Sequence, residues 1–212
     1  MKKIKLIIFD LDGTLVNAYL AIIKSFNYTM KRLNYPCQDA LTIRRAVGWG
    51  DKNLLKPFLK PKDLKEALFV YRRHHKASLV KYSCLFPKAK MVLSYLKKKK
   101  YKLAVASNRP TKFSMILLRH LGIEKYFDFI LCADRLKNIK PHPEILNKIM
   151  QRFSQKPADT VYVGDMSIDA QAGRRAKVKT IIVTGGSSSK EEIKKETPYR
   201  IIEEISRLLR IL

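Results

Sequence analysis

Asp10 and Asp12 stand two residues apart at the end of the apolar run Ile4-Lys5-Leu6-Ile7-Ile8, and Gly13 follows them. Residues i and i+2 of a strand face the same side, about 7 Å apart. Two carboxylates so placed repel unless a cation lies nearby or one holds a proton. A buried strand end rarely keeps two unpaired charges for structural reasons. Chemistry supplies a reason: one Asp attacks, the other moves a proton, and a metal holds the pair together.

Three more polar clusters follow apolar segments: Ser107-Asn108-Arg109, Lys140-Pro141-His142-Pro143, and Gly164-Asp165 with Asp169 four residues on. In open parallel sheets, ligands bind outside the carboxyl ends of the strands. Each cluster also has a plainer reading. Ser107 suits a helix N-cap. Lys140 is one lysine among many, though a Lys-Pro-x-Pro turn opening a helix fixes its direction. Asp165 suits a turn and Asp169 a first helical turn. For Arg109 a structural role is favoured over a phosphate contact. His74, His75, His120 and His142 are scattered, with no partner at ligand spacing.

The elements that must position these residues alternate after residue 85. Strand-like segments are read at 101–107, 127–133, 160–164 and 179–184, and helix-like ones at 111–121, 143–153 and 167–176, with a closing helix at 201–212. This alternation marks a parallel α/β sheet. From about Val16 to Tyr82 the rhythm breaks. Apolar positions recur at helical spacing over 19–33 and 64–79, with breaks at Tyr35-Pro36, Gly48-Trp49-Gly50 and Lys60-Pro61, and no strand is read there. Two crossings between this insert and the core, near 14–17 and 83–87, suit a hinge.

The 212 residues are 46% apolar, enough for a sizeable core. No apolar run approaches the roughly 18 residues of a membrane span, and the first run, too short for a secretory h-region, reads as a core strand. Lys and Arg number 44 against 18 Asp and Glu, a net charge of +26. The cations are spread along the chain without zinc spacing or interleaved aromatics, which favours a solvated cationic surface over a nucleic-acid groove. The run Lys97–Lys100 falls at a helix end, where cations suit the dipole. Cys37, Cys84 and Cys132 read as small apolar fillers in a reducing cytoplasm.

Together these motifs resemble the haloacid dehalogenase superfamily of phosphotransferases over the whole chain: DxDGT at Asp10–Thr14, the Ser-Asn pair, the Lys of KPHP and GDxxxD at Gly164–Asp169. The resemblance implies a Rossmann-like parallel sheet core with helices on both faces (residues 1–15 and 84–212) and an inserted α-helical cap (16–83). It implies that Asp10 is a nucleophile forming an aspartyl-phosphate, and that Asp12 is the acid and then the base. Mg2+ would be held by Asp10, the backbone carbonyl of Asp12, and Asp165, with Asp169 binding its waters or orienting Lys140. Ser107 and Lys140 would hold the phosphoryl group, with Gly13, Thr14, Asn108 and Arg109 around the substrate. Asp12 argues for phosphoryl transfer over carbon–halogen cleavage, since the dehalogenases of the superfamily lack it.

The loop Gly48-Trp49-Gly50 with Lys52, and the segment Ser187–Glu192, look like those of phosphoglycolate phosphatases and their pyrophosphatase relatives. Two readings of the loop stay open: a closure over a small anionic substrate, or a helix-breaking turn with Trp49 packed on its neighbours. Where relatives usually carry Gly, this chain has Lys88 and Lys100, and altered loop conformation is expected there. The leading expectation is a magnesium-dependent phosphatase of small phosphomonoesters, cytoplasmic, monomeric or homodimeric. The alternatives are a sugar-phosphate phosphomutase, a pyrophosphatase or nucleotidase of the same superfamily and, from another class, a non-catalytic nucleic-acid-binding protein.

Overall fold

The computed structural model describes residues 4–212. Its strands are β1 (Leu6–Phe9), β2 (Val16–Asn17), β3 (Cys84–Leu85), β4 (Lys102–Ser107), β5 (Phe129–Cys132), β6 (Thr160–Gly164), β7 (Lys179–Val183) and β8 (Arg200–Ile202). Its α-helices are α1 (Tyr19–Arg32), α2 (Ala40–Ala46), α3 (Asp51–Leu55), α4 (Leu64–Tyr82), α5 (Ala89–Lys98), α6 (Thr111–His120), α7 (Glu144–Arg152), α8 (Ser167–Arg175) and α9 (Lys190–Lys195).

Six strands form one parallel sheet in the order β5-β4-β1-β6-β7-β8. The inner strands are mostly apolar because both faces are covered. Along β1, Ile7 and Phe9 enter one apolar cluster while Leu6 and Ile8 enter the other, and all four are fully buried. From β1 the sheet grows through β4 and β5 on one side and through β6, β7 and β8 on the other. Strand order therefore reverses beside β1, the place where such sheets bind ligands. Asp10 is the first residue past it.

Every regular element between residues 18 and 82 is a helix. α1 and α4 lie against each other, and α4 also packs on α6 of the sheet layers. Ala67, Tyr71, His75, Ser78 and Leu79 form the buried stripe of α4 at helical spacing. Phe26, Ile43, Tyr71 and Leu79 share one apolar cluster with Phe9, Val105 and Phe113. The two crossings are themselves a short antiparallel pair, β2 with β3, with Val16 opposite Leu85 and Asn17 opposite Cys84.

Several expectations are corrected. The closing helix over 201–212 is instead β8 followed by a 3-10 turn, Ile205–Arg210. Pairing with β7, and Thr184 N–H donating to the Ile202 carbonyl at 2.8 Å, override the helical spacing of the apolar residues. Lys88 and Lys100 both adopt the left-handed conformation that favours glycine, φ +64° and +62°. Of the cysteines only Cys132 is a buried filler; Cys37 and Cys84 are exposed, and all three are free. No helix among the described residues is long and apolar enough to cross a membrane.

Candidate active site

Lys140 is the centre of the site. Although 98% buried, its Nζ donates to Asp10 Oδ1 at 2.7 Å, Asp169 Oδ1 at 2.8 Å, Tyr162 Oη at 2.9 Å and the Ala106 carbonyl at 3.1 Å. Burial works against its charge, but the carboxylates of Asp10 and Asp169 outweigh it and hold its pKa above the ordinary lysine value. Its backbone is fixed by Asn108, whose side-chain oxygen accepts from Lys140 N–H at 3.0 Å and whose amide donates to the Lys140 carbonyl at 3.1 Å.

Asp169 sits at the start of α8. Its Oδ2 accepts from the N–H of Asp165 and of Met166 at 3.2 and 3.0 Å, satisfying the helix terminus, while its Oδ1 takes Lys140 and the Tyr162 hydroxyl, the latter at 2.6 Å. Asp165 accepts from the Thr14 hydroxyl at 3.0 Å and from Ser187 N–H at 3.4 Å. Gly13 and Gly186 press on it so closely that a Cβ at either would overlap its Oδ2.

Ligand oxygens of Asp10, Asp165 and Asp169 lie within 4.8 Å of one another. Burial pushes the Asp10 and Asp165 carboxyls upward, Asp165 well above the carboxylate range, with Asp169 adding to both. Three carboxylates against one ammonium leave an excess of two negative charges in a buried space. A hard divalent cation would cancel that excess, and an all-oxygen donor set suits it. The residues present therefore fit a metal ion. The Asp12 side chain is not in this group. It points to Arg109, whose Nε and Nη2 donate to its two oxygens at 2.8 and 2.7 Å.

Asp10, Asp12, Ser107, Asn108, Arg109, Lys140 and Asp169 all line one cavity of about 60 Å3. Ser107 is buried and its hydroxyl accepts from Arg109 N–H at 3.2 Å. It is not the helix N-cap: α6 starts at Thr111, capped by Asp134, which accepts from its N–H at 2.9 Å. The helical layer closes the cavity with Gly48, Gly50, Asp51, Tyr71 and His75. Asn108 donates to the Gly48 carbonyl at 2.9 Å, and Arg44 and Arg45 of α2 donate to the carbonyls of 185–187.

Trp49 and Lys52 do not reach this cavity. Both glycines beside Trp49 have positive φ, so the chain turns sharply and leaves the indole 39% exposed. Lys52 lies in an outer groove with Arg72 and Phe69. Gly13 and Thr14 serve Asp165 rather than the cavity wall.

Two participants were not marked by the sequence. Tyr162 reads as a core residue of β6, yet its hydroxyl joins Lys140 to Asp169. His75, one of the scattered histidines, has its Nε2 2.7 Å from Arg109 Nη1. Both partners come from distant segments, so no local spacing announces them.

The sequence model described as haloacid dehalogenase-like hydrolase matches residues 7–183. The chain is 33% identical to a phosphoglycolate phosphatase from Aquifex aeolicus, over 86% of this chain and 85% of that one. It is 30% identical to the pyrophosphatase PpaX of Halalkalibacterium halodurans, covering 99% and 97%. The crystal structure of a predicted phosphoglycolate phosphatase from Haemophilus somnus 129pt superposes with a TM-score of 0.95 at 29% identity, over 100% and 99% of the two chains.

Proposed function

The chain belongs to the haloacid dehalogenase-like hydrolase family and is one of its phosphatases, and on that premise we propose that it is a Mg2+-dependent hydrolase of small phosphomonoesters, with 2-phosphoglycolate as the first candidate. The carrying observation is the buried ion-pair cluster of Lys140 with Asp10 and Asp169, beside Asp165. The substrate class rests on the similarity to phosphoglycolate phosphatases and on the cavity. At about 60 Å3 it is far below the roughly 300–1,000 Å3 of pockets for drug-sized ligands, so the group it encloses is small.

Asp10 attacks phosphorus. A phosphorus–oxygen bond forms to its carboxylate, the ester bond breaks, and the leaving oxygen takes a proton from Asp12. Water then attacks the aspartyl-phosphate, Asp12 receives a proton from it, and the bond to Asp10 breaks to release phosphate. Lys140 keeps Asp10 oriented and offsets charge on the phosphoryl oxygens, and Ser107 offers a hydroxyl to them. Asp169 and Tyr162 hold Lys140 in place. Asp10, Asp165, the Asp12 carbonyl and, directly or through water, Asp169 would hold Mg2+, which when bound neutralises charge on the transferring group. Free cysteines fit a reducing cytoplasm.

The test is phosphate release from a panel of monoesters with Mg2+, comparing wild type with Asp10→Asn. The variant is expected to lose on the order of 10⁴-fold or more in kcat. Retained turnover in Asp10→Asn sinks the covalent mechanism. Inorganic pyrophosphate belongs in the panel as the second reading, favoured by the similarity to PpaX.

A further inference from the structure

The cavity holds a second cationic group whose purpose the phosphoryl chemistry does not explain. Arg109 is 91% buried. Its Nε and Nη2 each donate to Asp12, and its Nη1 lies 2.7 Å from His75 Nε2. A guanidinium only donates, so His75 Nε2 must be the accepting nitrogen of a neutral ring. Burial and the neighbouring Arg109 charge push the His75 pKa down to about 2, in agreement. The ring is held in turn: its Nδ1 lies 3.1 Å from Ser25 Oγ, which donates to the Ala21 carbonyl at 2.8 Å.

Three of the five N–H groups of Arg109 are thereby engaged. The remaining two, one on Nη1 and one on Nη2, have no partner among the described residues. Lys140, the other cation of the cavity, has four acceptors for three N–H groups. Among the other acids that line the cavity, Asp51 is paired outward with Arg72 at 2.7 Å. Arg109 is therefore the cation in this cavity with donors left for a ligand, and it is rigidly held by groups from three separate segments. Paired N–H groups of a guanidinium match a carboxylate.

We propose that Arg109 is the specificity-determining residue, selecting small phosphomonoesters that carry a carboxylate next to the phosphate ester. The proposal rests on the phosphatase reading above and names its substrate class. Asp12 and the neutral His75 fix the guanidinium. His75 belongs to α4, so the selective group is complete only when the helical layer is seated on the sheet.

The experiment compares 2-phosphoglycolate with ethyl phosphate, which has no carboxylate, in wild type, Arg109→Lys and Arg109→Met with Mg2+. Thermal unfolding monitors folding of each variant. Wild type is expected to prefer 2-phosphoglycolate in kcat/KM. Arg109→Met is expected to lose about 10- to 100-fold more on 2-phosphoglycolate than on ethyl phosphate, mostly as a rise in KM. Arg109→Lys, which keeps the charge but not the fork, is expected to lose part of that selectivity. Binding of glycolate by calorimetry is expected in wild type and to vanish in Arg109→Met. Equal losses on both esters would overturn the proposal and leave Arg109 as a support for Asp12. A wild type active on both esters without preference would overturn it too, and does so even if Arg109→Met fails to fold. A wild type inactive on every monoester would instead overturn the phosphatase reading.

Discussion

Tyr162 shows how a single hydroxyl extends an ion-pair cluster. It is fully buried in β6 and bridges Lys140 to Asp169. Removing it in Tyr162→Phe leaves Lys140 with its other three acceptors, so the loss is one hydrogen bond of about 1 kcal/mol. We expect a comparable fall in unfolding free energy and a kcat drop of about tenfold or less; a loss as large as that of Asp10→Asn would mean the hydroxyl itself takes part in the chemistry. His75 gives a pH signature. Its folded pKa, about 2, lies below its unfolded value near 6.5. The unfolded chain therefore binds the proton first, and stability from this group falls as pH drops below about 6.5. The slope is up to about 1.4 kcal/mol per pH unit. His75→Gln removes that slope, so the stability difference between wild type and variant should shrink or change sign from pH 7 to pH 5 in urea titrations. The acids of the site were legible in the sequence because each follows an apolar strand. Tyr162, His75 and the Arg109–Asp12 pair were not, because their partners are set by strand order and by helix docking, which local spacing does not encode.

At the scale of elements, the helix ends stand out. α1, α5, α6, α7 and α8 each end with the same pair of backbone bonds, closed by a residue of positive φ: Asn34, Lys100, Gly122, Ser154 and Lys177. Glycine occupies this place once. At Lys100 the bonds are Lys100 N–H to the Lys97 carbonyl at 2.9 Å and Tyr101 N–H to the Leu96 carbonyl at 3.1 Å. A side chain in this conformation costs roughly 1–2 kcal/mol, partly offset by the extra freedom glycine has when unfolded. Lys100→Gly is expected to stabilise the protein by about 0.5–1 kcal/mol, a rise in Tm of about 2 °C; a fall in Tm would contradict the strain argument. The long strands and helices were readable from period alone, β6 to the residue. The ends of α1, α6, α7 and α8 were legible to within one residue, although only α6 carries a glycine there; β8 was not, because it is a strand only where β7 offers it an edge.

At the scale of the molecule, charge is distributed unevenly. The surface is rich in Lys and Arg, while Asp10, Asp165 and Asp169, among only 18 acids, are buried at one strand edge. An anion approaching a protein of net charge +26 is attracted from a distance and screened by salt within about 10 Å at 0.1 M. The kcat/KM for an anionic phosphomonoester should therefore fall as NaCl rises from 20 to about 500 mM, with kcat changing much less; a flat profile would show that the surface charge has no part in capture.

The place of β1 in the sheet also has a consequence in time. Its neighbours are β4 and β6, so Leu6 must pair with both Lys102 and Thr160. A ribosome adds about 5–20 residues per second, so β1 waits about 8–30 s after its own synthesis for its second partner. Through that interval the most apolar strand of the sheet has at least one bare edge, a template for the wrong partner. The helices of 18–82 make their contacts with each other early, and strand β4 arrives before β6. The chain thus has β1, β4 and β5, half of its sheet, well before Asp165 and Asp169 exist.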